Sequence, residues 1–119
     1  MAQTTCTPDE KRLNQQMVAL RDAIELLSGK WKFGILLALH VHGALRFSAL
    51  QERSAGISPK VLAEELQDLV ANRLITRTIN NTKPITVTYA ITEHAFAAEP
   101  AILALIEFGL KHRQKIMSE

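Results

Sequence analysis

Apolar residues recur along most of this chain at the spacing of helices that bury one side. Leu20, Ala23, Ile24 and Leu27 follow the i, i+3, i+4, i+7 rule, and Gly29 can end that helix. Residues 1–12 are polar and lack this periodicity. We therefore predict a first amphipathic helix, whose beginning the pattern leaves open.

Two interpretations fit the polar residues 1–12, which contain Pro8. They form either a mobile arm or an extension of the first helix that begins at about Asp9. A second helix is predicted from Lys30 to just before Gly43. Its apolar stripe is formed by Trp31, Ile35, Ala38 and Leu39.

Two short helices with start signals follow. Ser48 with Gln51 three residues later has the spacing of a capping box, which predicts Ser48 as an N-cap. Gly56 interrupts this helix. Ser58 is then predicted to cap a helix whose first position is occupied by Pro59, where the missing N–H costs nothing.

A strictly alternating segment, residues 85–91, has the pattern of a half-buried strand, with Ile85 and Tyr89 on its apolar side. The polar turn 80–84 precedes it, so a β-hairpin is predicted. Thr92 can cap a last helical region, which Pro100 must interrupt or restart.

The predicted fold class is mainly α with a small β-hairpin (α+β), arranged as a winged helix-turn-helix with terminal dimerisation helices. We divide the chain into a polar arm, 1–12, and one domain, 13–119. The DNA-binding part covers about 30–92, and the dimer helices cover about 13–28 and 100–117.

Composition narrows the class of protein without identifying it. The chain has 119 residues, a net charge of +2 and 47% hydrophobic residues, which suits one folded domain. No apolar run approaches the ~18 residues of a membrane span, and no signal-peptide core is present. A single cysteine excludes an internal disulfide. We expect a cytoplasmic protein without membrane association.

The helix after Ser58 carries the main functional candidates. Leu62, Leu66 and Leu69 share one face, so polar residues fall on the other. Lysine can reach guanine, glutamine can pair with adenine, and glutamate can accept a hydrogen bond from cytosine. An ordinary solvated helix face has the same pattern. The residues predicted to meet base edges are Pro59, Lys60, Val61, Ala63, Glu64 and Gln67.

The hairpin beside this helix favours DNA binding, because a polar tip can lie along a phosphate backbone. A solvent-exposed turn would use the same residue types. The residues predicted to contact phosphates are Arg46, Ser48, Ser58, Arg77, Asn81 and Lys83.

The last helix indicates a partner, since its apolar residues cover more of its circumference than one core-facing stripe needs. A symmetric dimer joined by the first helix would bury them; a monomer that folds the helix back into its own core is the alternative. The predicted interface residues are Leu13, Met17, Leu20, Ile102, Leu105, Ile106, Phe108 and Leu110.

The sequence contains little that indicates a catalytic or metal-binding site. His40 and His42 form a His-x-His pair without a clear third ligand, where a helix should end and histidine interacts well with the dipole. The sequence has no catalytic triad motif and no phosphate-binding glycine loop. We expect no enzyme activity, no metal site and no cofactor.

Several motifs in order resemble those of the HxlR-type transcriptional regulators, bacterial winged-helix proteins akin to the MarR group. They are the segments 26–32, 45–50, 56–62, 74–77, 87–89 and 91–93, with Pro84. The similarity covers roughly residues 17–113. It implies a homodimeric DNA-binding transcription factor without catalytic activity.

Some relatives of this kind carry a redox-sensing cysteine 13 or 14 residues before the tryptophan, where this chain has Met17 and Val18. Cys6 lies further upstream, so the resemblance does not transfer that role to it. Oxidation of Cys6 in the arm and an inert exposed thiol both stay open.

From these observations we predict a sequence-specific transcriptional regulator that binds double-stranded DNA as a homodimer on a pseudo-palindromic operator. Control of this regulator by a small-molecule effector or an oxidant is left open. The alternative is a winged-helix module for protein–protein contact without specific DNA binding.

Overall fold

A computed structural model describes residues 8–118 of the chain. Within that range there are six helices and one three-stranded sheet. The chain divides into two compact units, Met1–Lys30 and Trp31–Glu119. The first contains helix α1, and the second contains all the other elements. The α+β fold class is confirmed, whereas the boundary between arm and domain stays a prediction.

Helix α1 spans Pro8–Leu27. It includes Asp9 and Glu10 in its first turn, where negative charge interacts favourably with the helix dipole. From Pro8 onwards, the N-terminal residues therefore extend the first helix, which is one of the two interpretations of the sequence. Gly29 follows the helix with φ +104°, a conformation that glycine adopts without a Cβ penalty.

Helix α2 spans Lys32–His42 and ends at Gly43, where φ is +77°. The predicted start at Lys30 was two residues early. Ile35 and Leu39 lie in the core as the stripe predicts, while Trp31 and Ala38 are only half-buried.

Strand β1, Leu45–Arg46, leads directly into helix α3, Phe47–Arg53. The prediction of Ser48 as N-cap was wrong. Arg46 occupies the cap position with extended backbone, and Ser48 lies inside the first turn. The reason is a long-range contact, because pairing of Arg46 with Thr88, which lies in the later strand Thr86–Ile91 (β3), keeps Arg46 extended and lets the helix begin at the next residue.

Helix α4 spans Pro59–Ala71 and agrees with its predicted start. The Ser58 hydroxyl oxygen accepts a hydrogen bond from the Val61 N–H at 3.2 Å. Leu62, Leu66 and Leu69 are fully buried. The apolar stripe therefore sets which side of this helix turns outward, within the broad arc that such a stripe allows.

Strands β2, Ile75–Asn80, and β3, Thr86–Ile91, form the predicted hairpin. All pairings are antiparallel in the order β1-β3-β2, so β3 is the central strand. Tyr89 is buried as predicted. Ile85 precedes the strand and is exposed, so the strand is one residue shorter than predicted.

The last helical region restarts at Pro100. Helix α5, Glu93–Phe96, is capped by the Thr92 hydroxyl, which accepts from the Ala95 N–H at 3.1 Å. Helix α6 spans Glu99–Met117 with the proline in its first turn. The same Thr92 hydroxyl donates to the carbonyl oxygen of Arg73 at 2.8 Å, which ties α5 to the turn before the hairpin.

Candidate nucleic-acid interface

The solvent-facing side of α4 and the concave side of the hairpin form one groove. Leu66 and Val70 contribute its floor. Its remaining lining is formed by Lys60, Ala63, Glu64, Gln67, Arg77 and Tyr89. Four of the six residues predicted to meet base edges therefore line a single surface, and a predicted phosphate contact lies beside them.

The other two predicted base contacts lie at the start of α4. Pro59 is exposed and Val61 is half-buried. Ser58 is exposed too, with its oxygen accepting the capping hydrogen bond. Its hydroxyl hydrogen stays available to an acceptor, since a hydroxyl has one donor in addition to its acceptor sites.

Arg77 owes its position to the sheet. It pairs directly with Tyr89, so both side chains leave the same face of the hairpin. Tyr89 is buried, whereas Arg77 is exposed at the edge of the groove. The sheet thus places the guanidinium group of Arg77 in the same groove as Lys60.

The tip of the hairpin is held by side-chain hydrogen bonds. The Asn80 amide donates to the hydroxyls of Thr86, at 3.2 Å, and Thr88, at 3.3 Å. The Thr82 hydroxyl donates to the Pro84 carbonyl at 2.7 Å. These bonds order the turn that presents the exposed Asn81 and Lys83 side chains.

Arg46 and Ser48 lie together where β1 becomes α3, and both are exposed. Arg46 pairs with Thr88 of the central strand β3. Strand β1, which contains Arg46, and strand β2, which contains Arg77, lie on opposite sides of β3. The structure therefore spreads the predicted phosphate contacts over four places: the groove, the start of α4, the hairpin tip and the β1–α3 junction.

Sequence reasoning missed one residue at this site, Lys32 on α2. Its ammonium lies 2.7 Å from Glu65 Oε1 and 3.0 Å from Asp68 Oδ2, both on α4, and its side chain is 8% exposed. Burial lowers the pKa of Lys32, but the hydrogen bonds and negative charges of Glu65 and Asp68 outweigh it and raise the pKa above 10.5. The spacing of Lys32 could have indicated its burial. It lies three residues before Ile35 and seven before Leu39, on the same buried stripe of α2.

The predicted dimer residues on α6 are mostly at the surface. Leu105, Ile106, Phe108 and Leu110 are all exposed, Phe108 by 66%. Ile102 differs, since it is 7% exposed and packs within its own chain. On α1, the predicted residues Leu13, Met17 and Leu20 are likewise exposed.

Among residues 8–118, the remaining candidates form no second site. His40 contacts Glu99, and the part of the chain from 8 to 118 holds no group of three residues that could bind a metal ion. Cys6 lies outside the described residues. None of the helices between Pro8 and Ser118 is long and apolar enough to cross a membrane.

A short helix held beside a three-stranded sheet, after a preceding short helix, is the arrangement of a winged helix-turn-helix. Residues 26–117 match the profile of the HxlR-like helix-turn-helix family. The chain belongs to this family. The motif resemblance noted in the sequence is thereby confirmed.

Relatives of this HxlR-like protein are named as transcriptional regulators. The uncharacterized HTH-type transcriptional regulator YtcD of Bacillus subtilis is 29% identical over 93% of this chain and 85% of its own length. YdeP of the same organism, named in the same way, is 31% identical over 78% of this chain and 72% of its own. The chain is accordingly a helix-turn-helix transcriptional regulator by family, a class of protein that is not enzymatic.

Solved structures of similar regulators share the fold. The redox regulator HypR in its reduced form superposes with a TM-score of 0.78 at 25% identity, over 85% of this HxlR-like chain and 99% of its own. Diamide-treated YodB of B. subtilis superposes with a TM-score of 0.64 at 25% identity, over 92% and 96%. The winged-helix fold is therefore common to these proteins.

Proposed function

We propose that this protein is a sequence-specific, DNA-binding transcriptional regulator that acts as a homodimer on a pseudo-palindromic operator. The observation that carries the proposal is the groove between α4 and the hairpin. It brings Lys60, Glu64, Gln67 and Arg77 together on one exposed surface. A major groove about 12 Å wide accepts one α-helix.

Helix α4 reads base edges in this proposal. Lys60 donates to guanine, Gln67 pairs with the N6 and N7 atoms of adenine, and Glu64 accepts from cytosine N4. Ala63 and Val61 offer apolar contact to a thymine methyl group, and Pro59 lies at the leading end of the helix. Buried Leu62, Leu66 and Leu69 support this assignment, since they leave the polar side of α4 to solvent.

Phosphate contacts position the protein without selecting sequence. Arg77 contacts the backbone next to the groove, Lys83 and Asn81 contact it from the hairpin tip, and Arg46 contacts it from the β1–α3 junction. The hydroxyls of Ser48 and Ser58 add neutral donors. In this proposal the duplex backbone meets the protein at each of these separate places.

Two copies are needed for a strong preference, since α4 offers only a few polar groups. The exposed apolar residues of α6, Leu105, Ile106, Phe108 and Leu110, supply the surface for a symmetric dimer, joined by Leu13, Met17 and Leu20 of α1. Ile102 is left out because its own chain buries it. Two-fold symmetry then sets the half-site centres about one helical turn, ~34–36 Å, apart or a multiple of it.

Regulation by an oxidant or a small molecule is part of the proposal. It is supported by similarity to HypR, titled a redox regulator, and to YodB, whose structure is titled diamide-treated. Cys6 is the one thiol of this chain. If Cys6→Ser leaves DNA affinity and its response to diamide unchanged, Cys6 is not the sensor.

The proposed location is the cytoplasm, because that is where the proposed DNA partner would be met.

The test measures the affinity of the protein for the gene's own upstream DNA. Fluorescence anisotropy gives this affinity at salt concentrations from about 50 to about 200 mM. We expect tight binding to one fragment, weaker binding to shuffled DNA of equal composition, and affinity that falls as salt rises. Equal, weak binding to every fragment would contradict the proposal.

A second candidate function, a protein–protein contact module, has one observation in its favour. Ile79 and Ile85 near the hairpin tip are 60% and 66% exposed, which is surface that a protein partner would bury. It predicts no salt-sensitive DNA binding, so the same anisotropy titration separates the two functions.

A further inference from the structure

We propose that Lys32 is a positioning residue for DNA readout: its contacts with Glu65 and Asp68 fix the rotation of α4 and so decide which side chains reach the bases. This inference rests on the proposed function. Lys32 belongs to α2, 33 residues before Glu65, and its ammonium bridges to both carboxylates within 3.0 Å. Among the described residues, Lys32 is the one charged residue that is buried.

Helix α4 needs such a contact because its other attachments are less directional. Leu62, Leu66 and Leu69 form an apolar stripe, and hydrophobic burial is non-directional. Ser58 fixes where the helix begins but acts only on its first turn. A charge-assisted hydrogen bond has a defined length and direction, so two of them to residues three positions apart restrain rotation about the helix axis.

The contact also lies next to the proposed reading face. Asp68 directly follows Gln67 along α4, and a shallow surface depression is lined jointly by Lys32, Glu64, Glu65, Gln67 and Asp68. Each residue along a helix turns the side-chain direction by about 100°. A rotation of a fraction of that angle would move Gln67 away from a base edge, although the helix itself would stay intact.

Stability alone is a weak reason for this arrangement. Desolvation opposes a buried ion pair, and an apolar residue of similar size often serves folding equally well. The best-attested role of buried charge is to specify one geometry among several. An alternative role is electrostatic, since Lys32 offsets carboxylates on a helix that must approach phosphates.

Specificity separates positioning from charge. Loss of position weakens binding to the operator more than to shuffled DNA, whereas loss of charge weakens binding to both alike. We would measure both affinities for Lys32→Met and for the matched control Lys111→Met. Lys111 is paired with Glu107 on exposed helix surface. The folded fraction of each variant would be measured by circular dichroism at the binding temperature.

For Lys32→Met we expect the operator preference to fall about tenfold or more, the size of one mismatched base pair. Lys111→Met should leave the preference unchanged. Should Lys32→Met fail to fold, Glu65→Gln tests the same contact, with a smaller loss of preference expected. An unchanged preference in a folded Lys32→Met or in Glu65→Gln would overturn the inference, as would equal losses on both DNAs. If instead the unaltered protein shows no operator preference, it is the proposed function that fails.

Discussion

The imidazole Nε2 of His40 on α2 lies 2.5 Å from the carboxylate Oε2 of Glu99, the first residue of α6. The His40 ring also meets the Phe96 ring edge-on, with 5.2 Å between the ring centroids. The pair therefore joins a helix of the proposed DNA-binding part to the helix proposed for dimerisation. Any shift of α6 along α2 must break it.

Removing the carboxylate should cost stability. We expect Glu99→Ala to lower the free energy of unfolding by about 1 kcal/mol, since both side chains are only partly exposed and their polar atoms are in close contact. Glu107→Ala is the matched control on the same helix, because its pair with Lys111 is exposed and should contribute less than about 0.5 kcal/mol. Urea unfolding of both variants measures the difference. Equal losses would show that the His40 contact adds nothing.

The two serines predicted as caps should behave differently. Ser58→Ala should lower the free energy of unfolding by about 1 kcal/mol, because its oxygen accepts from the Val61 N–H. Ser48→Ala should change it by less than about 0.5 kcal/mol, since Ser48 lies within the first turn of α3 and is exposed. Thermal unfolding with matched buffers measures both. A similar loss from the two variants would restore Ser48 as a cap.

These serines also show how far the sequence can predict the fold. The cap at Ser58 depends on a hydrogen bond three residues away, so local spacing was enough. The start of α3 depends on the pairing of Arg46 with Thr88, which no local pattern contains. Strand β1 was missed for the same reason, because two residues are too few to show an alternation.

The candidate site divides in the same way. The outward face of α4 was predictable because one apolar stripe defines it. That Arg77 lines the same groove as Gln67 follows only from the hairpin register, where Arg77 pairs with Tyr89. The role of Lys32 depends on contacts across 33 residues, and a lysine within a sequence pattern gives no sign of its partners.

Gln67 and Lys83 should affect DNA binding differently. Lys83→Ala should weaken binding to all sequences alike and lower the salt slope by about 1, because a phosphate contact releases counterions. Gln67→Ala should relax the preference at one base pair and leave the slope unchanged. Anisotropy titrations against the operator and single-substitution operators measure both. Equal, sequence-independent losses from both variants would remove the case for readout by α4.

The dimer prediction can be tested with one charge. Phe108→Glu should convert the dimer into a monomer, because a carboxylate on the exposed apolar face of α6 would have to be buried unpaired. Val41→Glu is the matched control, since Val41 is 64% exposed on α2 and lies outside the proposed interface. Sedimentation velocity measures the assembly of both. A dimer that survives Phe108→Glu would place the interface elsewhere.

The Lys32 contact predicts a dependence of stability on alkaline pH. Because Glu65 and Asp68 raise the pKa of Lys32 in the folded state above its usual 10.5, the folded protein holds this proton more tightly than the unfolded chain. The resulting stabilisation is fully present below the unfolded pKa and is lost as the pH rises through the folded pKa. Unaltered protein should therefore lose more stability than Lys32→Met from about pH 9 upwards.

Urea midpoints of the unaltered protein and Lys32→Met, measured from about pH 8 to about pH 11.5, test this directly. Groups that titrate equally in both proteins cancel in the difference, so the remaining pH dependence belongs to Lys32. Lys111→Met is again the control, because its pair with Glu107 lies on exposed helix surface. A difference for Lys32→Met that stays constant with pH would mean that the ammonium gains nothing from its two carboxylates on folding.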